Sequence, residues 1–274
     1  MKLKTKNLLT LAELNKSEFA KLLNEAIKLK KSSKKGICKP LLKNKTLAMI
    51  FQKPSTRTRV SFEVGMFQLG GHSVNLSAND MQLSRGEAIE DTAKTLSRYT
   101  DCILARVYEH ETIQKLAEHY PVPVINGLSD SFHPCQILAD FMTIKEKKRK
   151  LKGLKICWIG DGNNVCNSMI YGAALADMKM SVATPQGYEP DKSVVKEAKK
   201  HTDIQITNEP TTAIKNSDVV VTDTFSSIHN KDPKRIEKFI PKFQVTSNLM
   251  KKSNPNSIFM HCLPAKRGQE VTSE

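Results

Sequence analysis

The sequence predicts an α/β protein of two similar domains, each a parallel sheet flanked by helices, joined by a helix. Two observations carry that expectation. Short apolar runs of strand length alternate with amphipathic segments of helical period, which is the pattern of parallel strands linked by crossover helices. The alternation stops at the charged run Lys145-Glu146-Lys147-Lys148-Arg149-Lys150 and then starts again. A third observation supports them: polar and charged residues gather just past the apolar runs, where open parallel sheets bind ligands. With 274 residues, 39% of them hydrophobic, the chain can build two cores.

The first expected element is a helix. Asn15 and Glu18 have the spacing of a capping pair, and Phe19, Leu22, Leu23, Ala26 and Ile27 make one apolar face. Residues 46–51 read as a strand, followed by Val60, Val64 and Phe67 at helical spacing up to Gly70-Gly71. Further strands are expected near 73–76, 102–105 and 122–125, with helical patterns at 88–96 and 113–117. A helical segment starts near His133 and ends in the charged run, so the domains are expected at 1–132 and 151–274 with 133–150 connecting them. The second domain repeats the pattern, with strands near 155–159, 181–184, 204–206, 218–222 and 257–260.

Composition narrows the function. No apolar run reaches membrane-spanning length and the basic start lacks the apolar stretch of a secretory signal, so a cytoplasmic protein is expected. Six cysteines lie singly, without CxxC pairs, and read as reduced thiols. The formal charge of +15 raises a nucleic-acid reading, but the lysines are dispersed over helical outer faces and aromatic residues make up only 6% of the chain. A solvated basic surface that attracts small anions is the better account.

Ser55-Thr56-Arg57-Thr58-Arg59 opens the helix after the first strand. One cap needs one hydroxyl; three hydroxyls and two guanidiniums at a helix start concentrate donors on a tetrahedral anion. Arg106 follows another strand, and His133 and Gln136 follow the next. In the second half, Gly160-Asp161-Gly162-Asn163-Asn164-Val165 imitates a dinucleotide fingerprint. Val165 occupies the position of its third small residue, and the next strand ends Ala183-Thr184-Pro185 without an acidic residue. The paired asparagines suggest hydrogen bonding to a polar substrate instead. Asp223 ends one further strand and His261-Cys262-Leu263-Pro264 follows the last; on spacing alone Cys262 reads as a buried structural cysteine.

These segments together resemble the aspartate/ornithine carbamoyltransferase family: Ser55 to Arg59, Leu83-Ser84-Arg85-Gly86-Glu87 through Asp91-Thr92-Ala93, Arg106, His133-Pro134-Cys135-Gln136 and His261 to Pro264, in the right order over essentially the whole chain. The Gly-Asp-Gly-Asn-Asn, His-Pro-Cys-Gln and His-Cys-Leu-Pro segments resemble the ornithine-using branch. The resemblance implies that Ser55, Thr56, Arg57, Thr58 and Arg106 hold the phosphate of carbamoyl phosphate, and that Arg106 with His133 polarises its carbonyl. Gln136 and the Leu263 carbonyl would orient the carbamoyl nitrogen, with Cys262 beside them, and Gln82 would reach a neighbouring subunit's site in a homotrimer. Asn164, Asp223, Ser227 and Ile228 would line the ornithine site. Asp223 and Cys262 are the groups implied to favour a neutral δ-amine. No metal or organic cofactor is expected, and neither nucleic acid nor membrane is an expected partner.

Two departures from the family pattern carry expectations of their own. The ornithine loop, Asp-x-x-x-Ser-Met-Gly in the family, reads Asp223-Thr224-Phe225-Ser226-Ser227-Ile228-His229 here. The sequence stops at Glu274, shortly after His-Cys-Leu-Pro, whereas the family pattern continues into a helix with an arginine near the carbamoyl oxygen. Slower turnover than in a longer relative is the expectation.

Overall fold

The computed structural model describes residues 3–225 and 233–274. The chain divides into two compact units, Met1–Cys135 and Gln136–Glu274.

In the first unit, α1 (Lys16–Ser33) begins with the expected capping box: the Asn15 side chain accepts the Glu18 N–H at 3.0 Å, and the Glu18 carboxylate accepts the Asn15 N–H at 3.0 Å. Phe19 and Leu23 are buried, while Ala26 of the expected face stays exposed. The chain continues through β1 (Thr46–Phe51), α2 (Thr56–Gln68), β2 (His72–Ser77), α3 (Ile89–Leu96), β3 (Cys102–Arg106), α4 (His110–His119) and β4 (Val124–Leu128). The last strand starts later than its apolar pattern suggests, because Pro121 and Pro123 have no N–H to donate to a ladder. The four strands are parallel, in the order β2-β1-β3-β4.

Successive β1 residues face opposite sides of this sheet, as the strand period requires. Ala48 and Ile50 join Ile103, Ile113, Leu116 and Tyr120 in one core cluster, whereas Leu47 and Met49 join Leu104 with Phe62 and Met66 in another. Helix α2 therefore packs through Phe62 and Met66. The face read from sequence as apolar points outward: Val60, Val64 and Phe67 are 52%, 44% and 81% exposed.

The second unit takes in most of α5 (Pro134–Lys148), whose Ile137, Phe141 and Ile144 are fully buried. Gly172 admits this helix closely: a Cβ there would lie 2.6 Å from Phe141 and 2.8 Å from Ile137. The unit continues with β5 (Lys155–Ile159), α6 (Asn164–Leu175), β6 (Lys179–Ala183), α7 (Lys192–Ala198), β7 (Ile204–Thr207), α8 (Pro210–Ala213), β8 (Val219–Thr222), α9 (Ser247–Met250) and β9 (Ile258–His261). Its five strands are again parallel, in the order β7-β6-β5-β8-β9. Cys157, Ile159 and Val220 pack there against Phe225, Phe239 and Phe243. All six cysteines are free thiols. Among the described residues no helix is long and apolar enough to cross a membrane.

Both sheets contain a switch point, where the chain leaves one strand in one direction across the sheet and later returns to its other side. It falls between β1 and β3 in the first unit and between β5 and β8 in the second. The loops at the carboxyl ends of such strand pairs diverge and leave a crevice for ligands.

Candidate active site

At the first switch point Ser55 has extended backbone (φ −156°, ψ 111°) and its side chain accepts the Thr58 N–H at 3.3 Å, capping α2. Arg106, the last residue of β3, lies opposite Phe51 in register, and its carbonyl accepts the Gln52 N–H at 2.9 Å. The Gln52 side chain in turn accepts the Tyr108 N–H at 2.9 Å, so the two strand ends are tied together. Arg106 Nη1 donates to Thr58 Oγ1 at 3.4 Å. Ser55, Thr58 and Arg106 are thereby gathered at the positive end of the α2 dipole, with Thr56 and Arg57 exposed in its first turn. Gln82 begins a short 3-10 turn (Gln82–Arg85) after β2 and is exposed.

His133, directly before α5, is 9% exposed. Burial, reinforced by the Arg106 charge, presses its pKa down to about 3, so the imidazole is neutral at pH 7. Lys53, absent from the sequence reading, belongs to this neighbourhood. It is 1% exposed, with Nζ 4.4 Å from the Tyr108 ring centroid. Burial and the Arg106 charge lower its pKa to about 8 against the opposing pull of Asp130. Its position beside the Ser-Thr-Arg block was the only hint in the sequence, since a lysine in a loop is ordinarily solvated.

The second switch point collects Asp223, Asn163 and Cys262. Asp223 accepts the Thr224 N–H at 2.7 Å and the Cys262 thiol at 3.0 Å on Oδ1, and Asn163 Nδ2 at 2.9 Å on Oδ2. Burial and the Asp223 charge raise the Cys262 pKa well above the ordinary thiol range, so this sulfur is a protonated donor. The paired asparagines divide their work. Asn163 caps α6, accepting the Val165 and Cys166 N–H groups at 3.0 and 3.1 Å, and its amide nitrogen serves Asp223. Asn164 is the first residue of α6, 9% exposed. Gln136 Nε2 donates to Asp140 Oδ1 at 2.9 Å, and burial together with the Asp223 charge lifts Asp140 to about 7. Leu263 is 51% exposed and has φ +60°. Ser227, Ile228 and His229 lie outside the described residues.

The glycine turn after β5 is closed by the protein itself. Gly162 N–H donates to Tyr188 O at 2.8 Å, and a Cβ on Gly162 would meet Pro190 N at 2.2 Å. The small residue serves this loop contact. Arg235 pairs with Asp161 and donates to Phe225 O at 2.9 Å, with its guanidinium 4.7 Å from the Tyr188 ring centroid. The side-chain ligand atoms of Asp223, His261 and Cys262 lie within 4.8 Å of one another, a spacing compatible with a metal ion. Hydrogen bonds account for the grouping: both His261 ring nitrogens and the Cys262 thiol are already engaged.

A cluster of hydroxyls and a guanidinium at one switch point and a hydrogen-bonded carboxylate at the other are the equipment of a group-transfer enzyme. Residues 6–146 match the aspartate/ornithine carbamoyltransferase carbamoyl-P binding domain, and residues 152–274 match the Asp/Orn binding domain of the same family. The ornithine carbamoyltransferase of Cenarchaeum symbiosum is 57% identical over 274 residues, covering 100% of this chain and 90% of the relative. That of Carboxydothermus hydrogenoformans is 50% identical, covering 98% and 88%. The structure of ornithine carbamoyltransferase from Pyrococcus furiosus superposes with a TM-score of 0.95 at 48% identity, covering 100% of this chain and 90% of that one. The chain belongs to the aspartate/ornithine carbamoyltransferase family.

Proposed function

We propose that this protein transfers the carbamoyl group of carbamoyl phosphate to the δ-amine of L-ornithine, giving L-citrulline and phosphate, in arginine metabolism. The observations that carry the reading are, in the first unit, an anion cradle built from Ser55, Thr58 and Arg106 and, in the second, an Asp223 carboxylate held by Asn163 and Cys262. Their relatives named above are ornithine carbamoyltransferases.

In this reading the first-turn amides of α2, the hydroxyls of Ser55, Thr56 and Thr58, and the guanidiniums of Arg57 and Arg106 bind the phosphate. Arg106 and the neutral His133 donate to the carbonyl oxygen, where negative charge builds as the amine attacks. Gln136 and the Leu263 carbonyl hold the carbamoyl nitrogen. Asp223 pairs with the α-amino group of ornithine, with Asn164, Ser227 and Ile228 lining that site. Cys262, kept protonated, orients Asp223 and is no base. The neutral δ-amine forms the new C–N bond, the C–O bond to phosphate breaks, and the amine proton leaves with the phosphate. The residues that perform these steps need no metal.

The proposed assembly is a homotrimer in the cytoplasm, with Gln82 reaching a neighbouring subunit's site. The outward apolar face of α2, which with Glu63 and His72 lines a groove, supports burial against another copy. Product analysis with L-ornithine, L-aspartate and putrescine in competition tests the function. Citrulline is the expected main product; carbamoyl-aspartate would overturn the ornithine assignment.

A further inference from the structure

We propose that His261 and Glu270 are positioning residues for the turn that presents Cys262 and Leu263. The inference rests on the reading in which that turn meets both substrates. Leu263 has φ +60°, a backbone region that side-chain-bearing residues avoid, and at 51% exposure its own side chain anchors it poorly. Something else must hold the peptide in place. The Leu263 N–H donates to His261 Nδ1 at 2.8 Å, and the opposite ring nitrogen, Nε2, lies 3.1 Å from Glu270 Oε1. Nδ1 can accept that bond only when it carries no proton, so the proton sits on Nε2 and points at the carboxylate.

Glu270 is itself immobilised. It is fully buried, its Oε1 also accepts the Lys266 N–H at 2.5 Å, and its backbone carbonyl accepts the Val245 N–H at 2.9 Å. A carboxylate thus selects the tautomer and ring orientation of His261, and His261 in turn holds the Leu263 peptide. The same turn aims the Cys262 thiol at Asp223, 3.0 Å away. His261 is anchored from the other side as the last residue of β9, paired in register with Thr222 directly before Asp223. Neither His261 nor Glu270 needs to touch substrate. Their effect is on where the Leu263 carbonyl and the Cys262 sulfur stand, and displacements of about 1 Å at such groups cost on the order of 100-fold in rate.

The two ring nitrogens can be tested separately. His261→Asn places an amide oxygen near the Nδ1 position and keeps the Leu263 acceptor; His261→Gln places an amide nitrogen near Nε2 and keeps only the donor to Glu270. Citrulline formation should fall on the order of 100-fold in kcat for His261→Gln and far less for His261→Asn, with carbamoyl-phosphate affinity nearly constant in both. Glu270→Ala should lower kcat and Glu270→Gln should restore most of it, since the amide oxygen still accepts. Alkylation of Cys262 by iodoacetamide, followed by peptide mass mapping, should be faster in His261→Gln than in His261→Asn. That readout needs no turnover, so it separates failure of this inference from failure of the proposed reaction. Equal kcat and equal labelling in Asn and Gln variants would overturn it, as would losses that track only melting temperature. If His261→Gln does not fold, the Glu270 pair decides: no rescue by Gln counts against the relay.

Discussion

Lys53 and Asp140 show how burial places a charge change close to neutral pH. Lys53, lowered to about 8 by burial and by Arg106, is a cation at pH 7 next to the α2 anion cradle. Carbamoyl-phosphate affinity should decline as pH rises through about 8, and binding of the dianion should draw a proton onto the amine. Calorimetry in buffers of different ionisation enthalpy checks this; Lys53→Met should bind more weakly at pH 7 and lose the proton uptake. Asp140 works with the opposite charge. Its pKa is raised to about 7, so above that pH the folded state carries a buried carboxylate that the unfolded chain would solvate freely. Between the ordinary carboxylate value and about 7 the folded state binds more protons, so this destabilisation is relieved as pH falls through that window. Asp140→Asn should melt higher than the parent at pH 8, with the gap closing toward pH 5. A gap that does not depend on pH would assign the effect to packing.

At the scale of elements, the β5–α6 connection is where local sequence pattern and packing demand meet. Gly162 faces the Tyr188–Pro190 backbone, and Asn163 serves both the helix N-terminus and Asp223. Gly162→Ala must push two loops apart, with an expected cost of about 1–3 kcal/mol for overpacking and a shift in Asp223 as well. Thermal melting and the ornithine KM should both worsen. A normal KM in a destabilised protein would separate the loop contact from the site. The capping role of Asn163 explains why the asparagine nearer the turn is spent on backbone N–H groups.

For the whole molecule, the informative surface is the outer side of α2. A helix usually needs one apolar stripe, yet this one packs the half-buried Phe62 and Met66 against the sheet and exposes Val60, Val64 and Phe67. An exposed Phe at 81% beside two valines is costly in water unless another surface covers it. Phe67→Glu should therefore break the proposed trimer to smaller species, read by light scattering during gel filtration, while the fold, read by circular dichroism, persists. An unchanged assembly mass would move the subunit interface elsewhere. The net charge of +15 also predicts that carbamoyl-phosphate association slows with added salt, since the field of dispersed lysines is screened.

The sequence by itself determined the order of strands and helices, because the periods 2 and 3.6 are written along the chain and depend only on neighbouring residues. It also placed Ser55, Arg106, His133, Asp223 and Cys262 at or past strand ends, and the Asn15–Glu18 capping box, for the same local reason. Tertiary structure alone decided which stripe of α2 became core and that Gly162 meets a loop. It alone joined Asn163 to Asp223, and it brought Lys53 and Asp140 close to their titration points. Those outcomes depend on which strands become neighbours, such as β5 beside β8, and on how much water each group loses. Neither quantity is encoded in the spacing of residues along the chain; both appear only when distant segments are packed together.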